Sequence, residues 1–88
     1  MLKLKKIENI EKEIELLSPL TDQNREIKEL CLEGILRAKS ESNYGILIVL
    51  IGKIKESLSV YDETYSDQDK EVKIRALNII DSILEKSK

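Results

Sequence analysis

Ile46-Leu47-Ile48-Val49-Leu50-Ile51 is the longest apolar run in this chain of 88 residues, and the fold turns on whether it is a strand or a helix. Six branched residues in a row suit a buried strand as well as a buried helix. Ile54 and Leu58 decide between them, because they prolong the pattern at intervals of four, and no partner strand is visible elsewhere. The spacing predicts a helix over 44–60, apolar on nearly every side and therefore expected to be the central element.

Towards the N-terminus, Leu4, Ile7, Ile10, Ile14 and Leu17 recur at spacings of three and four, while Glu8, Lys12 and Glu15 fall on the opposite side. This is one stripe of a helix over 3–17. Pro19 stops it near Ser18, since proline disfavours a helical residue before it and donates no backbone hydrogen bond. Thr21 or Asp22 offers an oxygen to the first free amides of a second helix over 22–39, and Glu26 adds negative charge to its first turn. Ser18 as the cap with Pro19 as the first helical residue is an alternative start. Ile27, Leu30, Cys31, Ile35 and Ala38 share its buried face, and Glu33 and Arg37 form an exposed pair. Gly34 falls on the same face. A missing side chain there costs about 1 kcal/mol relative to alanine, which points to another helix crossing close by.

After the polar connection 39–43 and the central helix comes a longer turn over 61–66. Ser66 or Asp67 then caps a fourth helix over 67–86, carrying Val72, Ala76, Ile79, Ile80 and Ile83. Short links return each helix antiparallel to the last. The expectation is an all-α, four-helix up-down antiparallel arrangement forming a single domain over 1–88.

Composition narrows the chemistry. With 15 Lys plus Arg against 17 Asp plus Glu, the net charge of −2 lacks the one-signed field that draws nucleic acid. The single cysteine, Cys31, forbids an intrachain disulfide and suggests a reducing, cytoplasmic location. No apolar run approaches the ~20 residues of a bilayer span, and the first residues do not read as a secretion signal.

The two helix starts echo each other. Asp22-Gln23-Asn24-Arg25-Glu26-Ile27-Lys28 lies over Asp67-Gln68-Asp69-Lys70-Glu71-Val72-Lys73 at an offset of 45 residues, followed by Cys31-Leu32 over Ala76-Leu77 and Ile35 over Ile80. A period of about 40 to 47 residues is that of helical-hairpin repeats. In Asp67, Val72, Lys73, Ala76 and Leu77, and again in Asp22, Ile27, Lys28, Cys31 and Leu32, the chain resembles the HEAT repeat family. The resemblance implies two HEAT-like hairpins covering nearly the whole chain and acting by binding other proteins. The proline common in that family's first helix is absent, and its basic position is lysine in both units. Two units are fewer than the three a free array needs, so the pair is expected to close on itself or on a partner.

Without histidine, Ser-His-Asp and Cys-His catalysis and histidine metal sites are excluded. Cys31, on an apolar face with no base beside it, reads as core. Asp22, Asp62, Glu63, Asp67 and Asp69 gather at one end. Helix capping explains most of them, with weak cation binding as the alternative; Val72 stands where a calcium loop needs glycine. The scattered Gly34, Gly45 and Gly52 make no phosphate cradle. Tyr44, Tyr61 and Tyr65 are expected to cover the bundle ends with their hydroxyls in water. Lys28, Arg37, Lys73 and Arg75, interspersed with glutamates, read as a mixed solvated face.

The chain is therefore expected to be a non-catalytic protein–protein interaction module, an adaptor or accessory subunit without cofactor or metal. Leu32, Ile74, Leu77, Leu84, Tyr61 and Tyr65 are the candidate contacts to another protein or to a second copy in a homodimer. In helix order it also resembles bacteriocin-immunity proteins, which would imply protection of a producing cell.

Overall fold

The computed structural model describes residues 2–86, with side chains from Leu4 onward. Four helices make up the fold: α1 (Leu2–Glu15), α2 (Asp22–Ser40), α3 (Tyr44–Ser59) and α4 (Asp67–Glu85). A single 3-10 turn, Glu63–Tyr65, lies between the last two. Each start is set by a side-chain cap. Thr21 accepts from the Asn24 amide (3.1 Å), Asn43 from Ile46 (3.1 Å) and Ser66 from Asp69 (3.3 Å), satisfying donors that have no partner within the helix. α1 ends short of the expected Leu17: Leu16 and Leu17 bond back to Glu13 and Ile14, three residues earlier, in a tightened last turn.

α2 packs on α1 and α3, and α4 packs on α3 and α1, so the four helices close into a ring around one core. The diagonal pairs, α1 with α3 and α2 with α4, face each other across it. This is an up-down antiparallel bundle, 36 Å long and 19 Å across. Because both the α1–α2 and α3–α4 connections lie at one end, the second hairpin repeats the first about a pseudo-twofold axis along the bundle.

Burial follows that axis residue by residue. On α2 and α4, Asn24 matches Asp69, Ile27 Val72, Cys31 Ala76, Ile35 Ile80 and Ala38 Ile83, and all ten are buried. On α1 and α3, with an offset one residue shorter, Ile7 matches Ile51, Ile10 Ile54, Ile14 Leu58 and Leu17 Tyr61, again all buried. The echo legible at the starts of α2 and α4 thus extends through the first helices, where identity is too low to show it.

Two expectations about burial are corrected. α3 is not a central element: in a ring every helix keeps an outer face, and Ile46 and Val49 stand about half exposed on that of α3. Leu4 and Leu30, placed on buried stripes by spacing, are 44% and 56% exposed, because each lies at the edge of a stripe beside a seam. Gly34 meets the expectation of a close crossing. A Cβ there would sit 2.9 Å from Ile54 Cγ1, and Ile54 is itself buried and unable to swing away.

The glycines separate two effects of opposite sign. A Cβ at Gly52 would meet nothing within 4 Å, so Gly52→Ala is expected to stabilise the protein by about 0.5–1 kcal/mol through helix propensity alone. Gly34→Ala gains the same propensity but overpacks Ile54, and a net loss of about 1 kcal/mol is expected. Urea unfolding of both variants measures this; equal shifts of one sign would contradict the close crossing.

Candidate functional site

The acidic end resolves into a set of internal braces. Asp69 lies in the first turn of α4, 2% exposed. Its Oδ1 accepts the Ser18 amide across the bundle (3.0 Å), and its Oδ2 accepts the Tyr61 hydroxyl (2.8 Å). At the matching place on α2, Asn24 is equally buried and reaches the opposite way. Its Nδ2 donates to Asp62 O (2.9 Å), and its Oδ1 accepts from the Asp62 amide (3.0 Å). Each second helix therefore holds the connection of the other hairpin.

Two lysines complete the arrangement. Lys28 Nζ donates to Glu15 O (3.1 Å) and Leu17 O (2.7 Å), and Lys73 Nζ donates to Ser59 O (3.1 Å) and Tyr61 O (2.9 Å). They satisfy carbonyls at the ends of α1 and α3, where the helix dipole is negative. The expected mixed solvated face loses both of them, since each Nζ is turned onto the end of the neighbouring helix. Lys73 also pairs with Glu63 (2.9 Å), which lowers that carboxyl below its ordinary range. Asp62 is lowered by hydrogen bonds from the Thr64 hydroxyl and amide, and Asp22 pairs with Arg25 (2.7 Å). Among the described residues no group of three metal-ligating side chains is placed to hold an ion.

Tyr61 is 1% exposed, so its hydroxyl is in the core rather than in water, and it is not available as a surface contact. Burial first, then the hydrogen bond and charge of Asp69, push its phenol above the ordinary value. Leu32, Leu77 and Leu84 are half-buried and packed against the core; Ile74 and Tyr65 are more than half exposed on the outside. Cys31 is fully buried, its thiol pushed up to about 11 by desolvation.

The surface that spacing did not single out is the α2–α3 flank. A groove of about 210 Å³ runs along it between Leu30, Gly34 and Arg37 on α2 and Leu50, Lys53 and Ser57 on α3. Leu30, Ile46 and Val49 stand about half exposed on the same two helices. The pseudo-twofold supplies its own control, because the α1–α4 seam occupies the equivalent place on the other side. There Arg75 binds Glu13 (2.9 Å), Lys6 binds Ser82 (3.3 Å) and Ile79 packs against the core. At the matching positions of the α2–α3 flank stand Leu30 and Ser57, Leu50 and Arg37, and Gly34. One seam is covered by polar bridges and a large side chain; its twin crosses closely at Gly34 and carries a surface groove of mixed lining instead.

Compared with family models, curated proteins and solved structures, the chain matches none.

Tyr61 gives the brace a pH signature. The folded state holds the phenol proton to higher pH than the unfolded chain, whose tyrosines lose it near pH 10. The stability it contributes is complete below about pH 10 and declines as pH rises further. Urea midpoints measured from about pH 8 to 11 should therefore fall more steeply for wild type than for Tyr61→Phe. At neutral pH that variant should be less stable by about 1–3 kcal/mol, since it leaves a buried carboxylate oxygen without its donor. Parallel alkaline slopes would contradict the Tyr61–Asp69 bond.

Proposed function

We propose that this chain is a non-catalytic protein–protein interaction module that binds through its α2–α3 flank. The observation that carries this reading is the contrast between twin seams: Leu30, Gly34 and Leu50 leave a groove where Arg75, Ile79 and Lys6 close the other side. Half-exposed Leu30 in the groove, with Ile46 and Val49 half exposed on the outer face of α3, suits the apolar centre of an interface, and Arg37 and Lys53 suit its polar rim.

Other features support the same reading. The side chains that spacing marked as chemically suggestive are engaged in the fold: Asp69 and Asn24 as braces, Lys28 and Lys73 as helix caps, Cys31 as core. A thiol held protonated in an apolar core belongs with a reducing, cytoplasmic setting, which we propose for the protein. The HEAT likeness enters the proposal as the equivalence of two hairpins; of the two equivalent seams between them, the α2–α3 flank is the one proposed to face a partner.

The test is retention of binding partners by tagged wild type and by the double variant Leu30→Glu, Val49→Glu, both folded by circular dichroism. Wild type is expected to retain a defined partner, and the variant to lose it at least tenfold, since two apolar contacts of about 1 kcal/mol or more each are replaced by buried charge. Identical retention by both proteins, or a wild type that neither retains a partner nor associates with itself, would contradict the proposal.

A further inference from the structure

Resting on that interaction reading, the charge pattern of the flank singles out an occupant. With Arg25 paired to Asp22, the other exposed charges beside the α2–α3 flank run from acidic to basic: Glu26, Glu29 and Glu33 border one stretch together with Leu30, and Arg37 follows at the far end beside Lys53 of α3. Glu26 and Arg37 lie ~16 Å apart along the helix at ~1.5 Å per residue. Midway between them are Leu30, half exposed, and Gly34, the floor of the groove, one helical turn apart.

We infer that the partner of this flank is a second copy of the chain, packed with the two α2 helices antiparallel across a twofold axis. Reversing α2 about the point midway between Glu26 and Arg37 brings Glu26 of each copy opposite Arg37 of the other. The same operation sets Leu30 of each copy at the level of the other's Glu33, one residue short of Gly34, and the leucine, leaning towards its own N-terminus, reaches over that glycine at the floor of the groove. Glu29 then falls at the level of the other copy's Gly34, which lines the groove together with Lys53. One operation thus satisfies the charges and the shape together, as an isologous interface requires. The parallel arrangement would set the three glutamates against each other and is disfavoured by like-charge repulsion.

Size agrees as well. One flank of a bundle 36 Å long and 19 Å across is comparable with the ~800 Å² that each partner gives to a standard interface. The unbridged α2–α3 flank has this self-complementary sequence of charges; on the α1–α4 side the acid and base are already spent on each other in Glu13 and Arg75.

Sedimentation equilibrium of the full chain, from micromolar to about 1 mM, tests this directly. Wild type is expected to show a reversible monomer–dimer equilibrium that weakens with added salt. Glu26→Arg and Arg37→Glu, each folded by circular dichroism, are each expected to weaken it about tenfold, because each sets like charges opposite at both ends of the interface. The double variant Glu26→Arg, Arg37→Glu restores the pairing and should return to within a few-fold of wild type. A monomer at the highest concentration, or a dimer indifferent to both single reversals, would overturn the inference. If that monomer still retained another protein through Leu30 and Val49, self-pairing alone would have failed and the interaction reading would stand. Loss of both would remove the two together.

Discussion

A carboxylate and an amide, each in the first turn of a second helix and each aimed at the opposite hairpin's connection, hold this bundle in register. Burying an ionised Asp69 is costly unless its lone pairs are filled, and the Ser18 amide and the Tyr61 hydroxyl fill them. Asn24 answers from the other side with a two-point grip on the backbone of Asp62. Apolar stripes alone would allow two helical hairpins to slide or rotate against each other at little cost. Hydrogen bonds of fixed length between named atoms do not, so the position of every layer below them follows from this end.

From that constraint comes the pseudo-twofold. Lys28 and Lys73 cap the ends of α1 and α3 in the same way, Thr21 and Ser66 cap the starts of α2 and α4, and the buried positions of one hairpin map onto those of the other. Where matched positions carry different chemistry, the departure has a location. One such departure lies on the flank between α2 and α3, where Gly34 stands in place of Ile79 and Leu30 in place of Arg75. An isolated bundle gains nothing from leaving that side open, since exposed leucine, isoleucine and valine are hydrated at a loss. The interface proposed above would give that difference a use.

The helices were legible because their stripes are long and their punctuation is plain: Thr21, Asn43 and Ser66 cap the observed starts, and Pro19 lies in the connection between α1 and α2. The run Ile46 to Ile51 read correctly as helix but not as central, because an all-round apolar segment does not reveal whether two or more helices surround it. Asp69 read as one of a set of capping carboxylates, and Asn24 as no more than a member of the echo; the Ser18 and Asp62 backbones they reach are 51 and 38 residues away in the chain, beyond any local pattern. Tyr61 beside a loop suggested solvent for the same reason. One signal was already visible: Asn24 and Asp69 are a matched position of the echo and stand three residues before Ile27 and Val72, on the stripe of the buried face.

Native-state hydrogen exchange of two loop amides tests the brace most directly. The amides of Ser18 and Asp62 lie outside any helix, and without Asp69 and Asn24 as acceptors they would exchange like those of other surface connections. With the brace in place, both should exchange only through global unfolding, as slowly as the core amides of α2 and α4. Fast exchange at either amide in a protein whose helices remain protected would contradict the claim that these two side chains hold the hairpins together.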